Sequence, residues 1–286
     1  MKIQQILDQG TTNPIVARLS IQTQSLLPFY NLNEDQRQRI FGVMFSDIQP
    51  KLLACSRIYE ELAKEVTEHQ KRIDEVGVEF QAGGRAYEIP AVFDLRSRAE
   101  TFLYQAKSVL RDLTKIFLIL FGKDFNNTAR FDLVAKWAEA QFGEHDELTK
   151  MLKTDESLWI RPLVRLRNAV EHPGGGSGTL HVDNFTSEVV GSTVVVVEPV
   201  WYLDQDEKSP IVRDMGVFTD NLLTLCEQTL ILCLEKFKKN FPIVIAEVAQ
   251  ADRDPHCPVR YKMTVDTSKI AFPSATAKPP DGDQRA

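Results

Sequence analysis

Apolar residues recur at alternating steps of four and three over residues 95–121, and this is the strongest periodic signal in the chain. The positions are Ala99, Leu103, Ala106, Leu110, Leu113, Phe117 and Leu120. Because an α-helix turns by about 100° per residue, they lie along one face, which predicts a long amphipathic helix. Asp94 is its predicted N-cap, and Gly122 its predicted C-terminal end. Such a seam also suits a coiled coil, but its length of about three heptads and its apolar flanks favour a bundle core.

Shorter amphipathic patterns predict helices on both sides of this one. Asn33 is a predicted N-cap for a helix that Pro50 separates from the next. The other predicted helices cover residues 51–76, 128–142 and 214–240. Residues 1–31 are weakly patterned, with breaks at Gly10, Pro14 and Pro28, and at most a short helix is expected at 3–7.

Two regions instead have the composition of strands. Residues 179–190 and 193–203 are rich in β-branched and aromatic side chains around Gly191 and Ser192, which predicts a β-hairpin with a type II′ turn. Its run of four valines, 194–197, would be prone to aggregation as an exposed strand edge, so we expect the bundle or a partner to cover it. Residues 242–248 and 259–265 are further predicted strands, and 78–90 a short hairpin or loop.

The fold predicted from these patterns is mainly α, an antiparallel helical bundle with a β-hairpin insertion and a short C-terminal β segment. Residues 1–90 are expected to form an N-terminal helical region that packs on the bundle. Residues 91–265 are expected to form the bundle domain, with the hairpin at about 179–203. Residues 266–286 have the composition of a disordered tail.

Composition narrows the functional classes. The chain has 286 residues, 43% of them hydrophobic and 26% charged, as in ordinary globular proteins. A net charge of −6 argues against a surface built for nonspecific duplex binding, so contact with nucleic acid must be local. We find no signal peptide and expect no membrane partner, which predicts a cytoplasmic protein. The four cysteines lack metal-ligand spacing and are expected to pack as core thiols, without a metal or other cofactor.

Candidate chemistry is concentrated in residues 161–172. In a helix, Arg161, Arg165, Asn168 and His172 form one polar stripe, and Arg167 lies at the edge of the apolar face, where a guanidinium needs a partner. Pro173 and three glycines follow, so the helix is expected to end at or just before His172. The ordinary interpretation of Arg167 is an ion pair with Glu171, four residues on.

The segment from Arg167 to His172, with its arginine, polar neighbour and histidine after four intervening residues, resembles the signature of the HEPN superfamily. Members are antiparallel helical bundles with the motif near a helix end, beside a long amphipathic helix. The resemblance implies a metal-independent endoribonuclease, with Arg167 and His172 catalytic and RNA as the partner. Asn168, Arg161 and Arg165 are then the expected substrate-binding residues.

The resemblance also implies that two facing protomers supply the catalytic groups, which predicts a homodimer. A role as a toxin or in phage defence, with an antitoxin or regulatory protein, follows only from the family. Two alternatives remain open: a non-catalytic module that binds RNA, nucleotides or proteins, and a helical interaction protein in which the motif is coincidental.

Overall fold

The computed structural model describes residues 9–76, 89–126, 128–190, 193–204, 206–239 and 242–265, and these residues are mainly helical with small antiparallel sheets. The α-helices are α1 (Pro14–Val16), α2 (Gln22–Leu26), α3 (Glu34–Gly42), α4 (Gln49–Val76), α5 (Leu95–Leu113), α6 (Lys115–Phe121), α7 (Phe131–Phe142), α8 (Glu147–Asp155), α9 (Arg161–Glu171) and α10 (Ile211–Leu234). The strands are β1 (Leu180–Asp183), β2 (Thr186–Val190), β3 (Thr193–Val197), β4 (Val200–Leu203), β5 (Ser209–Pro210), β6 (Ile243–Glu247) and β7 (Tyr261–Val265). The predicted mainly helical class is confirmed.

Helices α4, α5 and α10 pack against one another at the centre of the core. Every position of the predicted seam on α5 and α6 is buried, so that pattern is confirmed as a core face. Residues Ile211–Phe237 are also apolar and long enough to cross a membrane, with a mean hydropathy of 1.3, but 67% of the apolar window is buried inside the protein. Packing at the centre of the bundle accounts for this apolar composition.

Pro50 and Pro162 lie inside continuous helices. The prediction that Pro50 separates two helices is wrong, because α3 continues through the π-helical segment Val43–Ile48 into α4. There the Gln49 N–H donates to the carbonyl of Met44, five residues back, and this wider turn makes room for a residue that lacks an N–H. The segment Glu156–Ile160 joins α8 to α9 in the same way just before Pro162.

The helix-end predictions have mixed outcomes. Asn33 forms a capping box with Gln36, and Gly122 ends α6 in the left-handed conformation with φ of 69°, both as predicted. Asp94 was expected to cap α5, but its side chain makes no capping hydrogen bond. Its backbone is itself left-handed, with φ of 55°, and does not bring the carboxylate to the first-turn N–H groups.

The N-terminal region contributes more than its weak pattern indicated. Residues 14–29 are helical throughout, and Pro14 begins α1 behind the capping side chain of Asn13 rather than breaking the chain. Ile15, Leu19 and Leu26 are buried in the same core as α4 and α10. The short helix predicted at 3–7 lies outside the described residues.

The predicted hairpin is present as one ribbon in two parts. Strands β2 and β3 pair from Val190 opposite Thr193, and β1 and β4 continue in the same register to Leu180 opposite Leu203. One face of the valine run is covered, because Val196 packs on the core while Val195 is exposed. Strand β5, which the sequence did not predict, pairs with β4. The two predicted C-terminal strands are present as β6 and β7, and they pair with each other. The turn at 191–192, the segment 77–88 and the tail from 266 lie outside the described residues.

Candidate functional site

The candidate motif lies at the C-terminal end of α9. As predicted, the helix ends at Glu171, and the His172 N–H still donates to the carbonyl of Asn168 at 2.8 Å while its own backbone leaves the helical region. The glycines that follow form a compact turn, in which the Gly175 N–H donates to the carbonyl of His172 at 2.9 Å. Gly178 adopts φ of 81°, which disfavours any residue with a side chain. His172 is therefore held at a fixed point on the surface.

The His172 side chain is exposed, and among the described residues it has no hydrogen-bond partner. A hydrogen bond from Lys107 is the main cause that holds the pKa of Glu171 below its usual range, and the charges of Arg167 and His172 act in the same direction. The imidazole is thus available to a ligand, with an ionised carboxylate next to it.

Arg167 has the opposite environment, because only 10% of its side chain is exposed. Its guanidinium carbon lies 5.3 Å from the centre of the Tyr104 ring, and Nη2 lies 3.4 Å from the Glu171 carboxylate. The ion pair that the spacing allows is therefore present. Nη1 is buried without a partner among the described residues, so this fork of donors is only partly satisfied.

Arg167 lines a cleft of about 360 Å³ between α5, α9 and the segment before α7. Both helices present residues at steps of three, one and three, so each contributes a single face. The lining residues are Tyr104, Lys107, Ser108 and Arg111 from α5, Val164, Arg167, Asn168 and Glu171 from α9, and Thr128, Ala129 and Arg130 between them. Four of these side chains are cationic and one is anionic. On a chain with a net charge of −6, this is a local positive site suited to an anion.

Lys107 is central to the cleft. Its Nζ donates to Asn168 Oδ1 at 2.9 Å and to Glu171 Oε2 at 2.8 Å, which ties α5 to the last turn of α9. Glu171 thus lies between the cations Lys107 and Arg167. In the protein as described, this carboxylate is the anion of the cleft.

The structure places the predicted site residues in more than one location. Arg167 and Asn168 line the cleft, whereas Arg161, Arg165 and His172 do not. Arg161 pairs with Glu156 at 2.7 Å and lines a neighbouring cavity of mixed charge, about 610 Å³, which shares Arg130 with the cleft.

Arg165 lies on the other side of α9, about 160° around the helix from Arg167. There it is exposed and pairs with Asp206 at 3.1 Å. Both arginines of the predicted polar stripe, Arg161 and Arg165, are therefore paired with carboxylates outside the cleft.

Sequence reasoning missed Tyr104, Lys107, Arg111 and Arg130. The first three occupy the polar flank of α5, beside the apolar seam, and their spacing of three and four was a visible signal. Such a flank is ordinarily solvated, and only the packing of α9 against α5 turns it into the wall of a cleft.

Three of the four cysteines lie in the core as predicted, and Cys257 does not. Cys55, Cys226 and Cys233 are fully buried, and burial raises the pKa of each thiol well above its usual range. Cys257 is half-buried, and burial raises its pKa as well. Within the described ranges there is no group of three or more His, Cys, Asp or Glu side chains placed to hold a metal ion.

Comparison of the chain with models of known protein families, with curated proteins and with solved structures finds no match.

Proposed function

We propose that this protein is a metal-independent endoribonuclease of the HEPN type, with Arg167 and His172 as its catalytic residues and a HEPN-type bundle as its fold. The observation that carries the proposal is the state of the two motif side chains. Arg167 is a partly satisfied guanidinium in a positive cleft, and His172, at the end of the same helix, is an exposed imidazole with no hydrogen bond to any described residue.

The proposed reaction is a transesterification. A His172 imidazole accepts the proton of a ribose 2′-OH, and the 2′-oxygen attacks the adjacent phosphorus. The bond to the 5′-oxygen of the next nucleotide breaks, and that oxygen takes a proton from a second imidazole. The products are a 2′,3′-cyclic phosphate and a 5′-OH end. Arg167 donates hydrogen bonds to the phosphoryl oxygens, whose negative charge increases in the transition state.

The reaction requires two imidazoles, while each chain carries one copy of the motif. We therefore propose a homodimer in which two motif ends face each other across the RNA. An exposed His172 at a helix end is accessible to such a partner in a way that a residue inside the cleft is not. A cytoplasmic location, a role as a toxin or in phage defence, and control by an antitoxin or regulatory protein are proposed on the family resemblance alone.

Arg161 and Arg165 are proposed to contact the RNA backbone away from the reacting phosphate. Both are exposed, so their ion pairs with Glu156 and Asp206 are of the weak kind that a phosphate can replace. Asn168, one turn before His172, is proposed to contact the substrate inside the cleft.

The test is the Arg167→Lys variant. Lysine keeps the charge and can still pair with Glu171, but it loses the planar fork of donors, so we expect RNA cleavage to fall by about 10²-fold or more. RNA affinity and melting temperature should remain close to those of the parent protein. Cleavage rate, RNA affinity by fluorescence anisotropy and thermal unfolding are measured together.

Arg96→Lys is the matched control, because Arg96 is exposed on α5 outside the cleft and pairs with Glu100 one turn on. It should cut at the parental rate. If Arg167→Lys cut equally fast, Arg167 would have only the structural role that its ion pair with Glu171 indicates.

A binding module that holds a nucleotide or RNA without cutting is the second candidate. The observation that favours it is the location of His172 outside the cleft that Arg167 lines. Under this alternative, Arg167→Lys weakens binding of the nucleotide or RNA, and neither the parent protein nor any variant cleaves RNA.

A further inference from the structure

We infer that the cleft between α5 and α9 is a nucleotide-binding subsite: Lys107, Arg111, Arg130 and Arg167 bind the phosphate, Tyr104 stacks on the base, and Glu171 occupies the phosphate position beside Lys107 and Arg167 until the ligand binds. This inference rests on the proposed function and deepens it by naming the residues that hold the RNA. Of these residues, Arg167 alone belongs to the proposed catalytic pair. The ligand chemistry is that of a nucleoside phosphate, whether free or within an RNA chain.

The phosphate assignment rests on charge and on unsatisfied donors. Lys107, Arg111, Arg130 and Arg167 converge on one cleft, and Glu171 is the one carboxylate among the described residues that line it. Some of this charge is shared, since Arg111 lies 3.6 Å from Asp112 and Arg130 lies 2.9 Å from Asp132. The buried Nη1 of Arg167 nevertheless has no acceptor among the described residues, and a buried donor of this kind is normally satisfied.

The base assignment rests on Tyr104. This residue is 51% exposed although it lies beside the buried Arg167, so its ring keeps free surface at the cleft. Stacking of a base on an aromatic ring contributes about 1–3 kcal/mol and tolerates any base. The cleft volume of about 360 Å³ falls in the range of small-molecule sites. Ser108, Thr128 and Asn168 add neutral polar groups that a sugar or base edge can use.

The role of Glu171 follows from its contacts. Its Oε2 accepts from Lys107 at 2.8 Å and its Oε1 lies 3.4 Å from Arg167, which are the positions that phosphate oxygens would take. The carboxylate therefore competes with the ligand for the same cations. Removing its charge should strengthen binding, whereas the loss of a merely structural contact would weaken it.

The experiment measures binding by isothermal titration calorimetry with three probes on the full chain. The probes are adenosine 5′-monophosphate, inorganic phosphate, and a short 2′-O-methyl oligonucleotide that cannot undergo 2′-OH attack. We expect the monophosphate to bind more tightly than phosphate, because only it can use Tyr104. Tighter binding of the oligonucleotide than of the monophosphate identifies RNA as the source of the ligand, and the reverse order identifies the free nucleotide.

The variants separate the parts of the subsite. Arg111→Ala and Arg130→Ala should each weaken binding of the monophosphate by about 5- to 20-fold. Tyr104→Ala should make the monophosphate bind no more tightly than inorganic phosphate. Glu171→Gln should tighten binding of the monophosphate and of inorganic phosphate by about 2- to 10-fold. Arg96→Ala is the control that leaves affinity unchanged, since Arg96 lies 15 residues before Arg111, about 22 Å along α5.

Unchanged affinity in Arg111→Ala and Arg130→Ala would overturn the inference, as would a glutamate-rich peptide that binds as tightly as the monophosphate. Weaker binding in Glu171→Gln would overturn the role given to that carboxylate. The proposed nuclease fails separately. If the variants behave as expected but RNA is not cut, the subsite stands and the catalytic assignment falls. If RNA is cut, and cutting depends on His172 but not on Arg111 or Arg130, the catalytic assignment stands and the subsite falls.

Discussion

Replacing His172 with alanine is expected to slow RNA cleavage by about 10²- to 10⁴-fold, the usual contribution of a general acid or base. The same change should alter the free energy of unfolding by no more than about 1 kcal/mol, because the side chain is exposed and its loss removes no hydrogen bond within the described part of the chain. The backbone contacts of His172 to Asn168 and Gly175 do not depend on the imidazole. Cleavage rate and urea unfolding are measured on the same preparation.

His145→Ala is the matched control, since His145 is also exposed but lies in the turn between α7 and α8. It should cut at the parental rate. If His172→Ala cut as fast as this control, the motif would not be catalytic. If it unfolded the protein, the role of His172 would be structural and the binding-module alternative would gain support.

The largest effect on stability is expected for Glu227→Ala, which should lower the free energy of unfolding by about 3–5 kcal/mol. The Glu227 side chain is 0% exposed. Its carboxylate accepts from Arg18 at 2.5 Å and from Gln22 at 2.7 Å, and it lies 3.6 Å from Arg260. Alanine would leave the largely buried Arg18 without a carboxylate partner among the described residues, would leave Arg260 with Glu247 alone, and would create a cavity.

The contacts of Glu227 connect three distant parts of the chain. Gln22 bonds the carboxylate and also accepts from the backbone N–H groups of Arg260 and Tyr261 at 2.8 and 2.7 Å. The N-terminal helices, α10 and the β6–β7 hairpin are therefore held by one polar group. We expect the hairpin amides to lose protection from hydrogen exchange first in Glu227→Ala.

Glu247→Ala is the control for this change. Glu247 also pairs with Arg260, at 2.8 Å, but its side chain is 49% exposed, so its loss should cost no more than about 1 kcal/mol. Equal losses in the two variants would mean that burial of Glu227 does not set the strength of this network.

Local periodicity predicted the parts of the fold that are governed by one helix face or one hairpin. The seam on α5 was visible because its steps of four and three keep one face apolar over several turns. The hairpin was visible because β-branched residues flank a two-residue connection, and its register then follows from the turn. The end of α9 was set locally by Pro173 and the glycines.

Features that depend on distant contacts were not predicted. Residues 14–29 form core helices because α4 and α10 cover them, although their own pattern is weak. The Glu227 network joins residues more than 200 positions apart. The cleft likewise exists only because Lys107 meets Asn168 and Glu171 across 61 and 64 positions, so the sequence could indicate Arg167 but not its surroundings.

The most direct test of the proposed function is the chemistry of the RNA ends produced in excess chelator. Purified protein is incubated with a defined single-stranded RNA, with the His172→Ala protein from the same purification as the control for contaminating nucleases. We predict cuts that leave 2′,3′-cyclic phosphate and 5′-OH ends and that disappear when the nucleotide before the cut carries a 2′-deoxy sugar. Equal cutting of DNA, 5′-phosphate ends, or intact RNA with the parent protein would contradict the assignment.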